Sequence, residues 1–200
     1  MSELSEQQSD KQNPDQKSSK HYRYLVFIGR FQPFHAGHKA VIDEALKRSD
    51  EVIMLIGSAN LPRSLRNPFS VAERAAMIKG AYSEEEAARI HCVGLDDALY
   101  NDTRWLQYVQ AGVKSVTGDL QGNIGLIGHS KDSSSYYLSL FPNWDSVSVP
   151  NYHNLSATPI RDSYLMGATP TPERTPESTR KVLNEFKKTE AYQQLHEEAD

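Results

Sequence analysis

Three short apolar runs, each followed by a glycine, constrain the fold of this chain most strongly. They cover residues 24–28, 52–56 and 124–127, and the glycines are Gly29, Gly57 and Gly128. Because their hydrophobicity is continuous rather than alternating, we expect strands that are covered on both faces, as in a parallel sheet. Residues 90–93 and 147–149 are weaker members of the same set.

Helical patterns separate these runs. After the runs at 24–28, 52–56 and 90–93, residues at helical spacing share one face. The three sets are His38, Val41, Ile42, Ala45; Val71, Ala75, Ile78, Tyr82; and Trp105, Val109, Gly112, Val116. Ser70 and Glu73 have the spacing of a capping box, which predicts a helix start. The alternation predicts an α/β fold with a doubly wound parallel sheet and right-handed crossovers. Ligands bind such sheets beyond the carboxyl ends of the strands, where the three glycines lie.

The two ends of the chain differ from its centre. Residues 1–20 contain only Met1 and Leu4 as apolar side chains, so we expect a disordered tail there. Residues 21–168 form the predicted domain. Pro- and Thr-rich residues 169–179 are expected to be a linker or surface strap, and residues 178–198 one further helix, so that 169–200 is a linker with a C-terminal helix.

Charge and composition exclude several classes of protein. The chain of 200 residues carries 22 Lys and Arg against 26 Asp and Glu, a net charge of −4, which gives no support to a nucleic-acid wrapper. The single cysteine, Cys92, cannot form a disulfide within the chain, which points to a reducing compartment. No apolar run approaches the roughly 20 residues that span a bilayer, and no signal-peptide core is present. We therefore expect a cytoplasmic protein with no nucleic-acid or membrane partner.

The loop after the first run, Gly29 to His38, has the features of a polyphosphate site. His35 and His38, three apart at a helix start, lie about 60° apart around the axis. Both are expected to point ahead of the helix, where free amides and the helix dipole favour an anion. Gly37 would let a ligand approach closely, and Arg30 adds a donor fork suited to phosphate. The loop matches neither the Walker A pattern nor G-x-G-x-x-G. A metal half-site without further ligands, or two ordinary helix-start histidines, are the alternatives.

A second candidate anion site lies in Leu155-Ser156-Ala157-Thr158-Pro159-Ile160-Arg161. Thr158 can cap a helix, Pro159 suits the first helical position, and Arg161 would then fall in the first turn. The alternative is a plain helix cap with a surface arginine.

These two segments resemble a known superfamily. GRFQPFHAGH resembles the signature of the nucleotidyltransferases with the HxGH motif, most of all nicotinamide-mononucleotide (NMN) adenylyltransferases of the archaeal type and bifunctional adenylyltransferase–Nudix enzymes. LSATPIR resembles the second signature, ISxTxxR, with Leu in the first position. The resemblance covers residues 22–168 and implies a Rossmann-like nucleotidyltransferase domain. It implies the reaction ATP + NMN → NAD + pyrophosphate, with Mg²⁺ bridging the ATP phosphates.

The resemblance also implies roles for individual residues. The catalytic residues would be His35, His38 and Arg161. The ATP-binding residues would be Gly29, Arg30, Phe31, Gly37, Gly128, Lys131, Ser156 and Thr158. The NMN-binding residues would be Arg66, Asn67, Asn101, Asp102 and Trp105, with no protein ligand to a metal. A Trp face suits the cationic nicotinamide ring, and Asn101 or Asp102 could bond the carboxamide, so we expect a preference for NMN.

Several alternatives stay open at this point. Trp105 could be a core residue, Lys131 a solvated loop residue, and Glu73-Arg74 a pair on a helix surface. Two rival functions are adenylyl transfer to another acceptor (nicotinate mononucleotide or phosphopantetheine) and non-catalytic sensing of NAD or ATP. The sequence also allows homo-oligomers. Residues 178–198 resemble the connector that precedes a Nudix domain in bifunctional relatives, but the Nudix glutamate box is absent.

Overall fold

A computed structural model describes residues 20–119, 122–129, 141 and 143–200. Five parallel strands form one sheet in the order β3-β2-β1-β4-β5; they are β1 (Tyr22–Gly29), β2 (Ser49–Ile56), β3 (Ile90–Gly94), β4 (Ile124–His129) and β5 (Asp145–Val149). This confirms the predicted doubly wound α/β fold. The predicted disordered tail lies outside the described residues except for Lys20.

Helices cover both faces of the sheet. They are α1 (Ala36–Arg48), α2 (Val71–Lys79), α3 (Glu84–Ala87), α4 (Asp102–Thr117), α5 (Ala157–Leu165), α6 (Glu177–Phe186) and α7 (Glu190–Ala199), with a 3₁₀ turn at Tyr152–Asn154. Within the described part of the chain, no helix is long and apolar enough to cross a bilayer.

The central strands bury both of their faces. Leu25 and Met54 belong to a core cluster with residues of α1, α2, α5, α6 and α7, whereas Val26 and Ile53 belong to a second cluster with α4. Side chains alternate between faces along a strand, so a continuous apolar run is what two covered faces require. The strand order reverses between β1 and β4, which places the expected binding crevice beyond their carboxyl ends.

A local sequence signal sets the start of α2. The Ser70–Glu73 capping box forms as predicted and starts α2. That helix ends at Lys79, so Tyr82 lies beyond it and donates its hydroxyl hydrogen to Asp43. α4 buries Val109 and Val113 against the second core cluster.

The C-terminal residues form two helices instead of the single helix that we expected. Thr189 starts α7 by accepting a hydrogen bond from the Tyr192 amide. In one continuous helix Leu183 and Tyr192, nine residues apart, would point in opposite directions, since each residue turns the chain by about 100°. The break lets both side chains enter the same core cluster as β1 and β2. Both helices are therefore integral to the domain.

Candidate active site

The loops after β1 and β2 are joined by the buried side chain of Gln32. Its amide group donates to the Phe69 carbonyl and accepts from the Phe69 amide, at 3.1 Å in both cases. Phe31, at a φ of 50°, turns its buried ring toward Phe27 and His38. Sequence reasoning missed Gln32, because its partner is a backbone segment 37 residues away.

His35 and His38 are linked by two hydrogen bonds, in which the Nδ1 atom of each ring accepts from the backbone amide of the other residue. His35 is the N-cap of α1, and its Nδ1 accepts from the amides of Gly37 (3.0 Å) and His38 (3.3 Å). The Nδ1 of His38 accepts from the His35 amide at 3.1 Å, and the two rings stack 3.6 Å apart. Because a backbone N–H can only donate, both Nδ1 atoms are unprotonated, so each neutral ring carries its hydrogen on Nε2.

Burial keeps both rings neutral. It lowers the pKa of His35 to about 4. Burial and the neighbouring His35 also hold the pKa of His38 well below its ordinary value. Near pH 7 the pair can therefore donate hydrogen bonds without adding charge.

The structure separates the positions of the two histidines. His38 lines a cleft, whereas His35 is 3% exposed and lies outside the cleft lining. A Cβ at Gly37 would lie 2.8 Å from Cε1 of His35. Gly37 therefore makes room for the His35 ring; the structure shows this role and not the close ligand approach that we expected.

The cleft has a volume of about 610 Å³ and lies at the carboxyl ends of β1, β2 and β4. Its lining includes eight of the predicted site residues, namely Gly29, Arg30, Phe31, His38, Trp105, Ser156, Thr158 and Arg161. It also includes Gly57, one of the three glycines at the predicted binding edge, and residues that were not among the predicted site residues, such as Ser58, Asp97 and His129. The crevice thus lies where the strand order predicts it.

Arginines supply the positive charge of this cleft. Arg161 is 6% exposed; its Nη1 donates to the Gln32 carbonyl at 3.0 Å, and its buried Nε has no hydrogen-bond partner among the described residues. Burial, Arg161 and Arg66 all lower the pKa of Arg30. A buried donor without a partner and mutually repelling cations both favour a bound anion.

Arg66 and Asn67 lie beside Arg30. The Nη2 atom of Arg30 donates to the Arg66 carbonyl at 2.6 Å and to the side-chain oxygen of Asn67. Neither Arg66 nor Asn67 lines the cleft. The cleft is lined instead by Arg30, whose guanidinium donates to both of them.

The N-terminus of α5 lies at the cleft, two residues before the predicted position. Ser156, not Thr158, is the N-cap, and its side chain makes no capping hydrogen bond. Pro159 is the third helical residue, a position whose amide would have no partner within the helix in any case. Arg161 consequently lies in the second turn. The first turn has no side-chain cap, and its residues Ala157 and Thr158 line the cleft, so its amides add to the preference of the cleft for anions.

Arg74, for which a position on the helix surface is one of the alternatives left open by the sequence, is 2% exposed. Its Nη1 donates to the carbonyls of Arg30 and Gly57, at 2.7 Å each, and its Nε donates to the Ser70 carbonyl. It therefore joins the carboxyl ends of β1 and β2 beneath the cleft. Burial, followed by Arg30, lowers its pKa to about 10. Glu73 pairs instead with Arg63.

The predicted NMN-binding turn is only partly in the cleft. Trp105 lines it, but Asn101 is exposed and caps α4 by accepting from the Arg104 amide at 2.9 Å. Asp102 is exposed as the first residue of α4. The carboxylate in the cleft is that of Asp97, which accepts a hydrogen bond from Ser58 Oγ at 2.9 Å.

The loop after β4 is described only up to His129. That residue lines the cleft, and its buried Nδ1 has no partner in the described part of the chain. Gly128 lies outside the lining, and a Cβ there would meet nothing within 4 Å. Lys131 lies outside the described residues. In the described ranges, no group of three or more His, Cys, Asp or Glu side chains could hold a metal ion.

Comparisons with known proteins agree on one family. A family model described as cytidylyltransferase-like matches residues 26–163. The nicotinamide/nicotinic acid mononucleotide adenylyltransferase of Acinetobacter baylyi is 44% identical over 177 residues, which cover 88% of this chain and 93% of that protein. The nicotinamide-nucleotide adenylyltransferase of Thermococcus kodakarensis is 32% identical over 172 residues, covering 85% of this chain and 87% of that one.

A solved structure supports the same assignment. The bifunctional NMN adenylyltransferase/ADP ribose pyrophosphatase of Francisella tularensis superposes with a TM-score of 0.80 at 34% identity, over 88% of this chain and 53% of its own. This chain thus spans about half of the bifunctional protein. From the matched residues, the identity and the shared fold together, we conclude that the chain belongs to the cytidylyltransferase-like family.

Proposed function

We propose that the chain transfers the adenylyl group of ATP to NMN, which yields NAD and pyrophosphate. One observation carries the proposal: a single cleft joins an anion-binding wall, formed by His38, Arg30, Arg161 and the start of α5, to an aromatic wall at Trp105. A polyphosphate and a planar cationic ring are the two features that ATP and NMN present. Relatives that are 44% and 32% identical carry names for this activity.

The chemistry needs no base or nucleophile from the protein. A phosphate oxygen of NMN, anionic near pH 7, forms a bond to the α-phosphorus of ATP, and the bond from that phosphorus to the β-bridging oxygen breaks. Pyrophosphate leaves with the electron pair. Neutral His38 would donate from Nε2 to a phosphate oxygen, and the Arg161 and Arg30 guanidiniums would stabilise the growing negative charge. His35 would act through His38, whose ring it holds.

The other wall of the cleft would bind the acceptor. Trp105 would stack on the nicotinamide ring, and the Asp97 carboxylate would accept from the carboxamide. Nicotinate mononucleotide, which appears in the name of the Acinetobacter baylyi relative, is the alternative acceptor. Its added carboxylate would meet Asp97 with like charge, so NMN is the preferred acceptor in this proposal.

In our proposal ATP enters this cleft together with a divalent cation, which the side chains of the described residues do not hold as a cluster. A second structure of the Francisella tularensis protein contains AMP and a manganese ion. Magnesium, in our proposal, would supply positive charge to the phosphates, and phosphate oxygens and water would be its main ligands. The free Cys92 thiol fits the reducing cytoplasm as the compartment.

The test is release of pyrophosphate from ATP with each acceptor in turn: NMN, nicotinate mononucleotide, phosphopantetheine or none. We expect release with NMN, less with nicotinate mononucleotide, and none without an acceptor. Release with phosphopantetheine but with neither mononucleotide would refute NMN as the acceptor. Tight ATP binding without release in any mixture would instead identify a nucleotide-sensing module.

A further inference from the structure

Residues 174–179, which lie before α6 and in its first turn, contact the histidine loop, the loop of residues 29–38 that carries His35 and His38. The Ala36 amide donates to the Arg174 carbonyl at 2.8 Å, and the Thr179 hydroxyl donates to the Phe34 carbonyl at 2.9 Å. Phe34 and Ala36 are the residues on either side of His35. Thr179 is 0% exposed, so its hydroxyl has no access to water. Two hydrogen bonds from residues more than 130 positions away therefore fix the backbone on both sides of His35.

This backbone determines where the two imidazoles point. The buried Phe34 ring lies parallel to the His38 ring, with 5.9 Å between their centres. The Ala36 amide is the first of α1, and the Arg174 carbonyl satisfies it. The amides that follow it, those of Gly37 and His38, bond to His35 Nδ1. A shift of Phe34 or Ala36 would accordingly reorient both histidine rings.

The segment that makes these contacts is itself fixed. The Thr175 hydroxyl donates to the Thr171 carbonyl at 3.0 Å and stabilises the turn before α6. The Tyr164 hydroxyl of α5 donates to the Leu183 carbonyl of α6 at 2.6 Å. Because α5 also carries Arg161, helix α6 links the histidine loop to the helix that supplies Arg161 to the same wall of the cleft.

We propose that Thr179 is a positioning residue, whose hydroxyl orients the His35–His38 pair toward the nucleotide through the Phe34 carbonyl. This inference rests on the proposed adenylyl transfer for its kinetic consequence, but its structural consequence is independent of that transfer. A valine has the same shape and buries the same surface, so the hydroxyl alone distinguishes the two residues at this position.

The neighbouring Ser178 provides a matched control. Its hydroxyl also donates to a backbone carbonyl from α6, at 2.6 Å, but the acceptor is Met77 at the end of α2, away from the histidine loop. Ser178→Ala and Thr179→Val thus each remove one hydroxyl–carbonyl hydrogen bond from adjacent residues. We expect Thr179→Val to lower kcat about tenfold, since small misplacements in active sites are costly. Ser178→Ala should leave kcat unchanged, and Thr179→Ser should restore most of it.

A second readout needs no turnover. The ring NMR signals of His38, recorded in the full chain without nucleotide, should shift in Thr179→Val and stay in place in Ser178→Ala. Unmoved signals, or equal kcat values in Thr179→Val and wild type, would overturn the proposal. If the wild type shows no transfer at all, the proposed function fails and the NMR comparison still decides the role of Thr179. If Thr179→Val does not fold, Thr179→Ala replaces it and is compared with Thr179→Ser, because these two variants differ by the hydroxyl alone.

Discussion

Arg74→Met is the substitution whose effects on stability and on activity should differ most. It keeps most of the aliphatic stem of a 2% exposed side chain and removes the guanidinium. The carbonyls of Arg30 and Gly57 each lose a donor at 2.7 Å, whereas the Ser70 carbonyl keeps the Arg74 amide as a donor at 3.0 Å. In the described part of the chain this guanidinium forms no ion pair, so no carboxylate is left unpaired by its removal.

Two opposing terms set the loss of stability. A buried acceptor left without a donor costs about 1–3 kcal/mol, so the two carbonyls together cost about 2–6 kcal/mol. Burial lowers the pKa of Arg74 from 12.5 to about 10. That difference costs the folded state about 3 kcal/mol, which the methionine recovers. The net loss is therefore at most about 3 kcal/mol, or about 10 °C in Tm for a domain of this size.

The loss of activity should be larger than this loss of stability. Without Arg74, the hydrogen bonds that join the ends of β1 and β2 beneath the cleft are lost. The backbone from which the Arg30 side chain extends is then no longer fixed. We expect kcat/KM for ATP to fall about 100-fold, the effect of a misplacement of about 1 Å in an active site. Steady-state kinetics and calorimetry on the same preparation measure both quantities.

Lys188→Met is the control for this experiment. Lys188 lies just after α6 and forms an exposed ion pair with Glu185 at 3.1 Å, outside the cleft lining. Such pairs contribute at most about 1 kcal/mol, so both Tm and kcat/KM should stay close to wild type. A wild-type kcat/KM for ATP in Arg74→Met would refute the positioning role of Arg74. Complete unfolding of Arg74→Met would refute the claim that the recovered desolvation cost of the guanidinium offsets most of the cost of the two carbonyls without a donor.

Three further predictions concern the cleft residues. His38→Ala should lower kcat by about 100-fold or more with the fold retained, as loss of a preorganised donor does; a near-normal kcat would exclude a role in the transition state. Because the folded protein holds the pKa of His35 at about 4, the unfolded chain gains a proton first as the pH falls. Stability should drop by about 3 kcal/mol between roughly pH 6.5 and 4, and His35→Asn, which can still cap α1, should reduce that slope in urea titrations. Trp105→Ala should raise KM for NMN with little change in kcat, since cation–π stacking of about 0.5–2 kcal/mol acts in binding; an unchanged KM would make Trp105 a core residue only.

The sequence predicts the sheet and several residues that line the cleft, for local reasons. Continuous apolar runs require two covered faces, and the Ser70–Glu73 box is complete within four residues. His38 and Arg161 each belong to a short motif that opens a helix at the carboxyl edge of the sheet. Their meeting in one cleft follows from the parallel topology alone.

Long-range contacts account for most of what the sequence does not predict. Arg74 lies three residues after Val71 and four before Ile78, on the apolar side of α2, which was a usable signal of burial. Its partner carbonyl at Arg30, 44 residues away, could not be inferred. Asn101 bonds locally to the Arg104 amide, as Asn at an N-cap commonly does, and this contact draws its side chain away from the cleft.

The fate of the α-phosphate tests the central claim most directly. ATP labelled with ³²P at the α-position is incubated with the wild-type chain, magnesium and NMN, and the products are separated by chromatography and on a denaturing gel. We predict that the label appears in NAD, with one equivalent of unlabelled pyrophosphate and no label on the protein. Label recovered as AMP or ADP, or covalently bound to the chain, would contradict direct transfer between the two nucleotides.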